Sequence, residues 1–271
     1  MSKQTRFVEM NEPEKLIVNV SETDRVTALL YLAAKQRRAR TTIILGHGAG
    51  AGQLHPFMQL FANGLAERGF DVLTFNFCYL EQGRHVPDPK ARLESCYRAV
   101  IQAARTHKKL QGNRLVIGGK SMGGRIASQV AALDYGNSTP LPNAVANSNR
   151  KSKTQAGSDH ARPPAPIAGL VFLGYPLHPS GRPDKLRDAH LPQIQVPMLF
   201  IQGSRDAFGT EEEISALIKR LKLPATLHAV NGGDHSLKVP KSAVVSQPEV
   251  YAAALDAITK WLNPLTSASD F

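Results

Sequence analysis

Leu115-Val116-Ile117-Gly118-Gly119-Lys120-Ser121-Met122-Gly123-Gly124-Arg125-Ile126-Ala127-Ser128 is the stretch on which the fold turns. A short apolar run over 115–118 enters glycines, and an amphipathic run over 125–133 leaves them, so the segment reads strand, tight turn, helix. Gly119-Lys120-Ser121-Met122-Gly123 is a G-x-S-x-G turn. Such a turn holds its serine in a strained conformation above a sheet, and the flanking glycines are needed because side chains there collide with neighbouring backbone. A serine at a helix N-terminus is also placed where negative charge is favoured, and the N–H of Met122 is available to donate to it. Gly119-Lys120-Ser121 also suggests a phosphate-binding loop, but the pattern G-x-x-x-x-G-K-[ST] requires glycine at 114, where Arg114 stands.

Outward from this turn, strand-like and helix-like runs take turns. Ahead of it, 25–34 and 41–45 read as strands, 54–68 as a helix stopped by Gly69, 72–77 as a strand, and 89–107 as a long helix capped by Asp88. Beyond it, 169–173 and 198–202 read as strands. A helix capped by Thr210 runs to Leu221, followed by a strand over 226–230 and a helix over 249–262. Buried apolar strands alternating with amphipathic helices imply a mostly parallel sheet covered on both faces. Residues 136–166, rich in Asn, Ser, Pro and Ala, break the alternation and read as a flexible insertion within one domain spanning 1–271. Because it follows a helix and precedes a strand, it is expected at the N-terminal edge of the sheet, away from the ligand edge.

A nucleophilic serine needs a base and an acid to orient the base, in the chain order Ser, acid, His. The strand over 198–202 leads into Gly203-Ser204-Arg205-Asp206, and the strand over 226–230 into Asn231-Gly232-Gly233-Asp234-His235-Ser236. Both loops leave the edge that carries Ser121, which makes His235 the candidate base and Asp206 its partner. Asp206 is preferred over Asp234 because adjacent side chains diverge. The other histidines lie in helices, strands or loops that do not follow the last strand. Gly46-His47-Gly48-Ala49-Gly50-Ala51-Gly52 is a second glycine loop at the same edge, where the N–H of Ala49 can join that of Met122 as an oxyanion donor. The loop also satisfies G-x-G-x-x-A, but a dinucleotide site needs an acid after the next strand, and Phe75-Asn76-Phe77 offers none.

Composition narrows the setting. The chain has 271 residues, 42% hydrophobic and 20% charged, with no apolar run long enough to span a bilayer. Its first residues are polar and lack a secretory signal, so the expectation is a cytoplasmic protein. The cysteines, Cys78 and Cys96, match no zinc or C-x-x-C spacing and read as buried, reduced thiols; no metal is expected. A net charge of +11 raises the question of a polyanionic partner. The basic groups, Lys35, Arg37, Arg38 and Arg40 and then Arg150, Lys151 and Lys153, are not interleaved with aromatics, so they read as solvated loops and no nucleic-acid partner is expected.

Taken together, Gly46-His47-Gly48-Ala49-Gly50, Phe75-Asn76-Phe77 with Tyr79, Gly83-Arg84 and Pro87-Asp88, and Gly118-Gly119-Lys120-Ser121-Met122-Gly123-Gly124 form a pattern. It continues through Tyr175-Pro176-Leu177-His178-Pro179, Lys185-Leu186-Arg187, Gly203, Asp206, Phe208-Gly209 and Asp234-His235-Ser236. The chain thereby resembles the predicted α/β hydrolases related to dienelactone hydrolases, over about 41–262. That resemblance implies the α/β-hydrolase fold, the set Ser121, Asp206 and His235, and no cofactor. It implies no particular substrate, and serine stands where dienelactone hydrolases proper carry cysteine.

Segments 46–53, 78–88, 174–196, 204–210 and 231–245 leave the C-terminal edge and are expected to build the pocket. His47, Tyr79, Arg84, Tyr175, His178 and Phe208 are their candidate substrate-binding residues, with Arg84, His85, His178, Lys185, Arg187 and His190 making the rim basic. Arg84 has two readings, an anchor on Asp88 or a contact for an anionic substrate, and the nearby carboxylate favours the first. The cap-position segment 174–196 is too short for a large lid. The expectation is therefore an open site and a serine esterase acting on small or medium soluble esters. A non-catalytic interaction scaffold on the same fold is the other class the pattern permits.

Overall fold

The computed structural model describes residues 12–136 and 166–267. Eight strands form one sheet in the order β1-β2-β4-β3-β5-β6-β7-β8. They are β1 (Glu14–Asn19), β2 (Arg25–Tyr31), β3 (Thr41–Gly46), β4 (Asp71–Phe75), β5 (Arg114–Lys120), β6 (Ile167–Leu173), β7 (Met198–Gly203) and β8 (Ala225–Val230). From β4 through β8 every neighbouring pair is parallel, whereas β2 runs antiparallel to both β1 and β4. The helices are α1 (Pro56–Glu67), α2 (Cys78–Glu81), α3 (Lys90–Thr106), α4 (Met122–Gly136), α5 (Glu211–Leu221) and α6 (Gln247–Ser267). This is the α/β-hydrolase fold.

Period-two alternation along the central strands divides the core between the two faces. Ile44, Leu73, Ile117, Phe172 and Phe200 share one apolar cluster with residues of α3, α4 and α5. Their neighbours Ile43, Val72, Val116, Val171 and Leu199 share the other with residues of α1 and α6. Because both sides of the parallel strands are covered, they read in the sequence as continuous apolar runs.

Three departures from the sequence reading have local causes. The edge strand β1 was not expected: it alternates exposed and inward positions, with Val18 buried and Ile17 out in solvent, so its apolar content is thin. Helix α3 is capped at Pro89 and takes no side-chain bond there, so Asp88 is not its cap. The Asp88 carboxylate instead accepts from Arg84 at 2.5 Å and Arg92 at 3.4 Å. Arg38, from a cluster read as solvated, pairs with the fully buried Asp71 at 2.8 Å. Thr210 does cap α5, in a reciprocal box with Glu213. The insertion expected at 136–166 lies, apart from its end residues, outside the described residues. Among the described residues no helix is long and apolar enough to cross a membrane.

Candidate active site

Ser121 occupies the turn between β5 and α4 in the left-handed region, at φ 51°, a conformation that costs a non-glycine residue energy. Two glycines make the turn possible. A side chain at Gly119, itself at φ 147°, or at Gly123 would collide with the Gly46 carbonyl at the end of β3. The turn is thus pressed against the second glycine loop, and Ser121 is half-buried beside it. The Ser121 N–H donates to the Leu173 carbonyl at 3.2 Å, fixing the turn to the end of β6.

His235 follows β8, and its Nε2 lies 2.8 Å from Ser121 Oγ. Its Nδ1 lies 3.0 and 2.8 Å from the two carboxylate oxygens of Asp206. A carboxylate can only accept, so Nδ1 carries the proton and Nε2 is left as an acceptor facing the serine hydroxyl. Asp206 is buried, and its charge is met by two further donors, the Gln202 side-chain amide at 2.8 Å and the Phe208 N–H at 2.8 Å. The Phe208 ring packs on the imidazole with centroids 4.4 Å apart. Asp234 does not reach the ring; its carboxylate accepts from the N–H groups of Ser236 and Lys238 and shapes the loop.

Met122 opens α4, where first-turn N–H groups have no intrahelical acceptor. Ala49 lies in the facing loop, which is held from below. His47 points Nδ1 at the Gly48 carbonyl, 2.7 Å away, and takes the Phe77 N–H on Nε2 at 3.1 Å. Tyr79 donates to the Ala49 carbonyl at 3.0 Å. The imidazole of His47 is neutral, and burial lowers its pKa to about 4. Ser121, His235, Met122 and Ala49 all border a cavity of about 560 Å³, within the range of small-molecule sites.

A family model for the alpha/beta hydrolase domain matches residues 39–263. The chain belongs to that family. Among solved structures, this α/β hydrolase resembles a Xanthomonas campestris α/β serine hydrolase without lid, with TM-score 0.65 and 16% identity over 96% of this chain and 98% of that one. It likewise resembles dienelactone hydrolase from Anabaena variabilis, with TM-score 0.63 and 17% identity over 93% and 97%. At such identities the likeness shows the fold. A stretch of 100 residues is 34% identical to the quorum-quenching protein AidA of Acinetobacter baumannii; the match spans 35% of this chain and 32% of AidA.

Of the six candidate substrate-binding residues, the structure brings only Phe208 to the cavity. His47 and Tyr79 are fully buried and hold the Ala49 loop. Tyr175 is fully buried with its hydroxyl on the Arg187 carbonyl at 2.9 Å. His178 is buried against the Pro179 carbonyl and Glu213. Arg84 is tied to Asp88 and Gln82 and takes the anchoring role. Sequence reasoning missed Lys120, Arg125, Lys90, Phe57 and Met58, all of which line the cavity. Lys120 donates from Nζ to the His235 carbonyl and sits 5.7 Å from the centre of the Phe57 ring. Burial lowers its pKa to about 8, opposed by the charges of Asp206 and Asp234. Its place inside G-x-S-x-G was visible in the sequence, but the target of its ammonium was not. Among the described residues no cluster of three or more His, Cys, Asp and Glu side chains is arranged to hold a metal ion.

Proposed function

We propose that this α/β hydrolase is a serine esterase cleaving small or medium soluble esters through an acyl-enzyme. The observation that carries the reading is the His235 imidazole bridging Ser121 Oγ and the Asp206 carboxylate, at 2.8 Å on each side. In this reading His235 Nε2 accepts the serine proton as Oγ attacks the ester carbonyl, and the N–H groups of Met122 and Ala49 receive the oxyanion. Collapse of the tetrahedral species breaks the bond to the alkoxy group, to which His235 donates the proton it took from the serine. Water then repeats the sequence and releases the acid. Asp206 stays ionised throughout, holding the tautomer and favouring the transient imidazolium. The buried, free Cys78 and Cys96 fit a reducing, cytoplasmic setting.

The test is labelling with a fluorophosphonate probe together with hydrolysis of p-nitrophenyl acetate. Wild-type protein is expected to be labelled and Ser121→Ala not, and Ser121→Ala or His235→Ala to lose on the order of 10³-fold or more in kcat. A wild-type rate no higher than that of Ser121→Ala would overturn the assignment.

A further inference from the structure

The charged groups lining the cavity divide into those already matched and those left over. Asp88 is matched by Arg84 and Arg92, and Lys90 by Glu94 at 3.2 Å. Lys120 is spent on the His235 carbonyl. Two guanidinium groups remain, those of Arg125 and Arg187. Arg125 lies on α4 one turn beyond Ser121, its N–H bonded to the Ser121 carbonyl at 3.1 Å. Side chains on a helix lean toward its N-terminus, which directs Arg125 back over the serine and the cavity. Arg187 comes from the segment between β6 and β7, where its backbone is clamped by the Leu177 carbonyl at 2.8 Å and the Tyr175 hydroxyl at 2.9 Å.

Arg38, Arg68, Arg92 and Arg220 are paired with carboxylates, those of Asp71, Asp256, Asp24 and Asp188, and the arginines without such a partner elsewhere do not line the cavity. Among the described residues neither Arg125 nor Arg187 forms an ion pair, and Nε of Arg125 is buried with no hydrogen-bond partner. Asp188, the acid next to Arg187 in sequence, is taken by Arg220 at 2.5 Å. Burial, and then the like charge of Arg187, lower the pKa of Arg125 below the usual arginine value. Two neighbouring cations and a buried, unpaired donor are costly unless an anion joins them.

We propose that Arg125 and Arg187 form an anion subsite beside Ser121, so that the substrates are esters bearing a carboxylate or phosphate group. The substrate part of this inference rests on the serine esterase reading, whereas the binding part does not. A planar guanidinium gives paired, charge-assisted hydrogen bonds to either oxoacid, and two of them facing one cavity fix its orientation relative to the scissile carbonyl.

Two measurements test it separately. In the first, kcat/KM is compared for p-nitrophenyl hydrogen glutarate against p-nitrophenyl pentanoate, which places the charge on the acyl side. Acetyl esters of hydroxyalkyl carboxylates and hydroxyalkyl phosphates, against acetyl esters of simple alcohols, place it on the leaving group and tell carboxylate from phosphate. Wild-type protein is expected to favour at least one charged series tenfold or more, and Arg125→Met or Arg187→Met to bring that ratio close to one. Arg125→Lys and Arg187→Lys, keeping a charge without the fork, should retain part of the preference. In the second, glutarate and inorganic phosphate are titrated calorimetrically into Ser121→Ala, with and without Arg125→Met. Saturable binding that the arginine variant weakens tenfold or more supports the subsite even if no ester is hydrolysed, an outcome that would overturn only the esterase reading. Ester hydrolysis with no charge preference, or a preference unchanged in both arginine variants, together with no arginine-dependent binding of either anion, overturns the subsite and leaves the esterase reading standing.

Discussion

On the serine esterase reading, Lys120 acts on the chemistry without touching it. It stands next to Ser121 in sequence, yet its ammonium reaches across to the backbone carbonyl of His235, tying the Ser121 turn to the loop that carries the imidazole. That reading makes it a positioning residue. Lys120→Met removes the donor, and we expect kcat to fall about 10- to 100-fold with KM little changed, since a misplaced base weakens transition-state contacts more than ground-state binding. The ammonium is charged below about pH 8 and neutral above it, because burial has lowered its pKa from 10.5. Wild-type kcat should therefore weaken above pH 8, and Lys120→Arg, which stays charged, should lack that alkaline decline. Loss of melting temperature with an unchanged kcat and an unchanged pH profile would leave Lys120 a structural role only.

Between elements, the loops after β3 and β4 are laced through His47, whose two ring nitrogens bind the Gly48 carbonyl and the Phe77 N–H. Nε2 must be unprotonated to accept, which agrees with a pKa lowered to about 4 from 6.5. The sign follows from proton counting. Between pH 4 and 6.5 the unfolded chain binds a proton that the native ring refuses, so the stability contributed is fully present above pH 6.5 and is lost as pH falls toward 4. For this ring the loss is on the order of 3 kcal/mol, and the half-buried His190 acts in the same direction. Urea unfolding at pH 7 and pH 5 should show the fall, and His47→Gln should make it shallower; equal slopes in the two proteins would remove His47 from the account. The same lacing explains what the sequence disclosed and what it hid. Glycine turns, strand runs and the order Ser121, Asp206, His235 are local patterns, each readable where it stands. Whether His47 faces a substrate or a backbone amide is decided by Phe77, thirty residues on, and the direction of Arg125 by its place on a helix face above a cavity; neither contact leaves a local signature. Arg84 was legible because its partner Asp88 is one helical turn away in sequence.

At the scale of the whole molecule, the parallel strands gather the candidate site at one edge of the sheet. Ser121, Asp206 and His235 all follow the C-terminal ends of β5, β7 and β8, where cavities of doubly wound sheets form. At the opposite edge, Ile167 at the start of β6 pairs with Leu115 near the start of β5, and α4 runs away from Ser121 to end at Gly136. Both attachment points of segment 137–165 therefore lie on the side remote from the cavity. Replacing 137–164 by a short Gly-Ser linker that still spans from α4 to β6 should leave ester hydrolysis within about twofold and keep unfolding cooperative, because loop-closure entropy changes only slowly with length. Hydrolysis of p-nitrophenyl acetate and a urea melt, each compared with wild type, check it. A large loss of kcat with the melt unchanged would mean that residues of 137–164 reach round to the cavity. A lower melting midpoint with kcat retained would instead give the segment a role in holding α4 against β6.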